Sequence, residues 1–377
     1  MATGMHAIYI DSPTISGAEK RALKLCYELN KSGRFCKLII TKRLFDKFLG
    51  SEYSEFLDNC IISDSGLLGR IRAFQRLRTL KKKLGFDRFL EEIYYRNFII
   101  LVRENNISTL HIFLDLELAL RIQKYTEAKV IFEITSPEYV KRLRDLSTDK
   151  LSSISKFNAV SDSTYIGVQS AIPRTILSKS PIPFFSPVDH LTEHKSIFKE
   201  KENIIIFAHR LIPRKNGLLF AHVVKEFCRA DTNWTVKILG QGPQSKEINA
   251  LLSEEILSGK VVTGYSSRIL PELERSKIFV SIIEPDNYPS QSVLEAMYMG
   301  NALLLSDCGF TKEKFFDRNG FLCKIELGDI LSKLMELIKD EERLKICGQN
   351  SLALLKSRYD KEIYLEYIYK MYSSLKR

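Results

Sequence analysis

The sequence predicts an α/β protein made of two doubly wound domains, each a parallel sheet with helices on both faces. Three observations carry this. The first forty residues run strand, helix, strand; the second half of the chain repeats the alternation; and 377 residues is about twice the length of a usual domain. Hydrophobic side chains make up 45% of the chain and charged ones 27%, with 18 Gly and 11 Pro. That balance excludes disordered, collagen-like and low-complexity classes.

Residues 6–10 form an apolar extended run, followed by a polar turn over 12–17. Ala18, Ala22, Leu25, Cys26 and Leu29 then recur at helical spacing, Gly33 stops the helix, and a second β-rich run covers 35–41. Two strands joined by a helix are the unit from which parallel sheets are built. In the second half, strand-like runs at 204–208, 234–239, 278–283 and 302–305 alternate with helical stretches such as 218–228 and 292–299. Between the halves, Pro181, Pro183 and Pro187 precede a charged stretch over 190–202, which reads as a linker. The expected domains are therefore 1–190 and 191–360, with a last helix inside 361–377.

The formal charge is +11. Residues 1–190 carry 29 basic and 21 acidic side chains, so most of the excess lies in the N-terminal half and calls for an anionic neighbour. Part of it sits at 67–84, where Leu67, Ile71, Phe74, Leu77, Leu80 and Leu84 keep a three-to-four spacing and Arg70, Arg72, Arg76, Arg78, Lys81, Lys82 and Lys83 fill the other faces. This is the pattern of a basic amphipathic helix, suited to an anionic membrane face; a solvated face over an ordinary core stripe is the plainer alternative. No nucleic-acid module is recognisable, and the basic helix lacks interleaved aromatics for base stacking. Seven scattered cysteines without a Cys-x-x-Cys pair suit reduced thiols in a cytoplasm. No apolar run approaches the ~18 residues of a membrane span.

Open parallel sheets take ligands at the carboxyl ends of their strands, so the loops after the strands hold the candidates. In the first unit these are Ser16 and Gly17 at a helix start, where a missing side chain lets a phosphate approach backbone N–H groups. After 204–208 come His209, Arg210, Leu211, Arg214 and Lys215: three cations within six residues suit a diphosphate. After 234–239 comes the turn of Gly240 and Gly242 with Pro243, which either admits a ligand to the backbone or reverses the chain. After 278–283 the polar loop of Glu284, Asp286, Asn287, Tyr288 and Pro289 leads into a helix starting near Ser290, Gln291 and Ser292, with Glu295 in its early turns. Backbone N–H groups there can meet phosphate oxygens, and a carboxylate can hold a ribose diol.

Taken in order, these segments resemble the retaining nucleotide-sugar glycosyltransferases of glycosyltransferase family 4, which have the GT-B fold. Ser16 to Glu19 is similar to that family's Gly-Gly-Ala-Glu loop, His209 to Leu211 with Lys215 to its Gly-Arg-Leu loop and following Lys, and Gly240 to Pro243 to its Gly-x-Gly-Pro turn. Leu294 to Met297 with Gly300 resembles its helix-start signature, and Ser306 to Gly309 with Glu313, then Asn319 and Gly320, the segments beyond. The likeness spans nearly the whole chain. It implies two Rossmann-like domains facing a cleft, with the donor nucleotide on the C-terminal domain, the acceptor mainly on the N-terminal one, and the last helix crossing back to the N-terminal domain. Arg210 and Lys215 would neutralise the departing diphosphate, Glu295 would hold the ribose, and Gly17 would lend backbone contact. No metal or other cofactor is then required, since the cations stabilise the leaving group. The acceptor expected is a glycan, free or lipid-linked, as in bacterial lipopolysaccharide or capsule assembly.

Two positions depart from the family. Its signature places a Glu eight residues before the one matched by Glu295, yet position 287 is Asn, leaving Asp286 or Asn287 to serve the sugar and Glu284 nearby. A donor-contacting His expected after the middle N-terminal strand is missing, and Glu133, Thr135 or Ser136 stands in its place. A catalytically weakened nucleotide-sugar-binding scaffold is therefore the competing reading, and a GT-B epimerase or phosphorylase shares the fold. His190 and His194 have a zinc-compatible spacing but no third ligand. Asp115 and Glu117 loosely resemble the metal-binding acids of the other glycosyltransferase fold and read as surface at a strand end; His111 reads as a structural residue near a strand end.

Overall fold

The computed structural model describes residues 4–13, 15–51, 53–64, 86–185, 201–230 and 233–375. The basic stretch 67–84 and the pair His190 and His194 lie outside these. The chain divides into two compact units, Met1–Pro183 with Glu362–Arg377, and Phe184–Lys361. The first boundary thus falls several residues before the expected 190, and the C-terminal helix Lys361–Ser374 belongs almost entirely to the first unit.

Among its described residues the first unit holds seven parallel strands: β1 (Met5–Ile10), β2 (Cys36–Ile40), β3 (Cys60–Ile62), β4 (Ile107–Phe113), β5 (Lys129–Ile134), β6 (Lys156–Ala159) and β7 (Leu177–Lys179). Their order is β3-β2-β1-β4-β5-β6-β7. The second unit has β8 (Glu202–Ala208), β9 (Thr235–Leu239), β10 (Val261–Gly264), β11 (Ser276–Ser281), β12 (Ala302–Ser306) and β13 (Gly320–Cys323), ordered β10-β9-β8-β11-β12-β13. Each order runs outward from the first strand and then reverses, so each sheet has a switch point, at β1/β4 and at β8/β11. Central strands such as β8, with Ile204, Ile205, Ile206 and Phe207 all buried, read as continuous apolar runs because both sheet faces are covered by helices. Among the described residues no helix is long and apolar enough to cross a membrane.

A buried polar network ties the C-terminal helix to the first sheet. Glu133 on β5 accepts from Arg21 Nη2 at 2.5 Å and from Asn158 Nδ2 at 2.6 Å, and its Oε2 lies 2.9 Å from His111 Nε2. Beyond it, His111 Nδ1 meets Tyr372 Oη at 3.0 Å, and Tyr367 Oη donates to Asn158 Oδ1 at 2.6 Å. Burial pushes the Glu133 carboxyl up, but the His111 hydrogen bond, the Arg21 charge and Asn158 outweigh it and hold it below its ordinary value. Glu133 is fully buried, so it does not face a ligand as the sequence reading allowed; it is the hub that anchors Tyr372 and Tyr367. His111 takes the structural role expected of it. Asp115 caps the helix Leu116–Tyr125, accepting from Leu118 N at 2.9 Å, and Glu117 pairs with Arg121.

Candidate nucleotide site at the second switch point

The loop after β8, residues 209–216, is braced from both sides. Leu211 N donates to Gln241 O at 3.0 Å and Gln244 N to Leu211 O at 3.2 Å; on the other side Glu284 N donates to Arg214 O at 3.2 Å and Asn216 Nδ2 to Ile282 O at 3.2 Å. The two glycines of the turn after β9 make this bracing possible. A Cβ on Gly240 would stand 1.9 Å from His209 O, and one on Gly242 2.2 Å from Leu211 O, distances no side chain tolerates. Their role is therefore to let one loop lie on another. Gly240 also lines the cavity at the ends of the two strands that flank this turn.

So supported, the loop presents Arg210 exposed and Lys215 half-buried. Neither side chain has a hydrogen bond or ion pair among the described residues. Other half-buried cations of the unit are satisfied: Lys237 pairs with Glu272 at 2.6 Å, and Lys201 donates to Leu273 O, Glu274 O and Ser276 O. Burial, followed by the charges of Arg214 and Arg210, pushes the Lys215 ammonium down to about 7. A loop that gathers cations without carboxylates is built for an anion.

Across the switch point, the helix Gln291–Tyr298 begins without a side-chain cap and without an acid in its first turn. The backbone N–H groups of Gln291, Ser292 and Val293 make no hydrogen bond among the described residues, as the first turn of a helix leaves them. Its positive end and free donors suit an anion. By contrast the helix Gly17–Lys31 carries Glu19 in its first turn; Ser16 N and Oγ both donate to Glu19 Oε2, at 2.8 and 2.5 Å. Ser16 is thus spent on its own helix, and a negative charge already sits where Gly17 was expected to seat phosphate.

The loop before the second helix is stapled internally. Asn287, fully buried, accepts from Ser281 Oγ at 2.9 Å through Oδ1 and donates to Ser281 O at 2.7 Å through Nδ2. Both ends of its amide are used, so Asn287 does not take the sugar contact offered for it. Asp286 Oδ1 accepts from Tyr288 N and Phe310 N, at 2.9 and 3.1 Å, fastening this loop to the one after β12. The Tyr288 ring packs on Phe315 at 5.2 Å and is almost fully buried. These three expected ligand residues therefore shape the loop. Pro289 is half-buried beside them. Glu295 is 2% exposed, inside the helix. Thr135 and Ser136 are half-buried at the carboxyl end of β5 in the first unit, with no side-chain hydrogen bond among the described residues.

Sequence reasoning named His209 only as the head of the cation loop, without a role of its own, and missed the adjoining cavity. His209 Nδ1 lies 3.3 Å from Ser292 Oγ, which lies 3.0 Å from Ser290 Oγ. Burial first, then Lys215 and Arg214, hold its imidazole well below the usual range, against a carbonyl of Val280 that raises it. Beside the loop, at the ends of β9 and β10, a cavity of about 190 Å³ is lined by Leu211, Ile238, Gln241, Asn249, Thr263 and Tyr265 among others. Only spatial assembly brings these residues together; no spacing in the sequence signals them.

Residues 190–353 match the family model described as glycosyl transferases group 1, a span that lies wholly within the second unit. No curated protein matches the chain. Among solved structures, HepE from Anabaena in complex with UDP and glucose is similar over 99% of this chain and 100% of its own, at 14% identity and a TM-score of 0.71. TarM of S. aureus, a mutant in complex with fondaparinux, alpha-GlcNAc-glycerol and UDP, is similar over 97% and 98%, at 10% identity and 0.72. The lipopolysaccharide outer core galactosyltransferase WaaB, apo form, is similar over 98% and 100%, at 13% identity and 0.58. This chain has the GT-B fold of two Rossmann-like domains, and its second domain carries the match to glycosyl transferases group 1.

Proposed function

We propose that this protein is a retaining glycosyltransferase that moves a sugar from a nucleoside-diphosphate sugar to a glycan acceptor, free or lipid-linked. One observation carries the reading: Arg210 and Lys215, without an ion pair among the described residues, share the β8/β11 switch point with an uncapped, acid-free helix start at Gln291. The diphosphate sits between them, its charge met by a guanidinium fork, an ammonium and first-turn N–H groups. The nucleobase occupies the cavity at the ends of β9 and β10, against Tyr265. UDP, the nucleotide bound by HepE and TarM, is the first donor base to try.

As the bond between the sugar and the diphosphate breaks, negative charge grows on the leaving oxygen and the sugar becomes cation-like. Arg210 and Lys215 stabilise that charge in the transition state, so the reaction proceeds without a metal. The acceptor oxygen attacks from the face the phosphate leaves, and the leaving phosphate takes its proton. Thr135 and Ser136 of the first unit, whose hydroxyls have no hydrogen bond among the described residues, are the residues to substitute in a test of acceptor recognition. The likeness to WaaB supports a role in surface polysaccharide assembly.

Release of UDP from UDP-sugars, with and without an oligosaccharide acceptor and with chelator present, tests the reading; the anomeric configuration of the product tests retention. Because Asn287 is spent inside its loop, a nucleotide-sugar-binding scaffold is the competing reading. Tight UDP binding with neither transfer nor hydrolysis would establish it.

A further inference from the structure

A serine at the N-cap ordinarily accepts a hydrogen bond from its own helix, satisfying one first-turn N–H. Ser290 holds that position before Gln291–Tyr298 and does not do so. Its Oγ is instead turned to Ser292 Oγ at 3.0 Å, and Ser292 Oγ is engaged by His209 Nδ1 at 3.3 Å. The imidazole itself cannot swing away. It is 8% exposed and packs between Phe207 of β8, at 4.9 Å and 76°, and Phe279 of β11, at 5.5 Å and 59°.

We propose that His209 is a positioning residue of the diphosphate site: through Ser292 it holds the N-cap hydroxyl of Ser290 off its own helix, so that the first-turn N–H groups stay open to an anion. The inference rests on the nucleotide reading above. Ser290 and Ser292 have two competing uses. Released from His209, the pair can rotate, Ser290 Oγ caps Ser292 N–H or Val293 N–H, and a ligand must then displace that bond. The arrangement trades a helix cap for an open anion seat, the kind of local sacrifice expected at a functional site. The groups facing the imidazole agree with a neutral tie: Lys215 and Arg214 come from its own loop, the Val280 carbonyl from β11 and the Ser292 hydroxyl from the helix. Burial above all, with Lys215 and Arg214, keeps the ring uncharged, so the tie does not switch with pH over the neutral range.

The test is a double-mutant cycle read by UDP affinity and by thermal midpoint. His209→Phe keeps the ring packing and removes Nδ1; Ser292→Ala removes the link. Each should weaken UDP binding about three- to tenfold, with the midpoint unchanged or raised because the helix gains its cap. His209→Asn, which can return a polar atom near the Nδ1 position, should recover most of the loss. On a Ser290→Ala background, where no cap can form, neither change should weaken binding further. If His209→Phe fails to fold, the Ser292→Ala and Ser290→Ala pair decides alone. Wild-type affinity in both single variants, or losses that persist undiminished on Ser290→Ala, overturns the inference while leaving the nucleotide site standing. A wild-type protein that binds no nucleoside diphosphate overturns both.

Discussion

Lys215 should capture a proton when a nucleoside diphosphate binds. Its ammonium is held at about 7 by burial and by Arg214 and Arg210, with no carboxylate partner among the described residues to restore it. A diphosphate supplies the missing negative charge, which favours the protonated form and returns the group toward the ordinary lysine value of about 10.4. The neutral fraction in the free protein is about 0.1 at pH 6, about 0.5 at pH 7 and about 0.9 at pH 8, and that fraction is the proton uptake on binding. Affinity consequently falls above pH 7, approaching about tenfold per pH unit before the bound-state value is reached. Isothermal calorimetry with UDP in Tris and in HEPES at pH 8 reads the uptake from the difference in heat. Lys215→Arg, whose guanidinium stays charged, gives the reference that cancels protons exchanged by the ligand's own phosphate. The reasoning is refuted if wild type and Lys215→Arg exchange the same number of protons at pH 8.

Other outcomes follow from the packing. Gly242→Ala brings a Cβ to 2.2 Å from Leu211 O, so it should cost about 1–3 kcal/mol and weaken UDP binding by moving the cation loop; chemical denaturation and a UDP titration read the two effects. Asn287→Glu restores the carboxylate of the resembled family on paper, yet places it at a fully buried position. It should destabilise by about 3 kcal/mol or more and lower transfer, and a gain in activity would contradict the internal role of Asn287. Glu133→Gln should cost about 3–5 kcal/mol by removing the buried carboxylate charge that meets Arg21. Since the Glu133 carboxyl is depressed in the folded state, its contribution is present above the unfolded value near 4.3 and lost as pH falls through the folded one. The gap in thermal midpoint between wild type and variant should therefore shrink on acidification below about pH 4.

Local pattern was enough for much of the fold. The runs at 6–10, 35–41, 204–208 and 302–305 are strands within a residue or two, and the stretch 361–374 is the helix Lys361–Ser374, because burial on both sheet faces and helical periodicity leave marks along the chain. The cation loop was legible for the same reason, as a charge cluster following a strand. What escaped depends on contacts between distant segments. Asn287 and Tyr288 look like loop residues open to a ligand, and only the proximity of Ser281 and Phe315 shows them turned inward. Gly240 and Gly242 signal close approach without saying of what; the partner is the backbone of His209 and Leu211. Glu133 appears at a strand end near the expected ligand side, whereas Arg21, His111 and Asn158 arrive from other elements to bury it.

The central claim is that a nucleoside diphosphate binds the second unit between the Arg210 loop and the start of the helix Gln291–Tyr298. Its most direct test is a metal-free binding titration of UDP, GDP and ADP against wild type, Arg210→Ala and Lys215→Ala. The account predicts that one nucleotide binds the wild type without added metal and that each substitution weakens it at least about tenfold, the loss expected for removing a charged hydrogen-bond donor. Equal affinity in all three proteins, or no binding by any nucleotide, contradicts it.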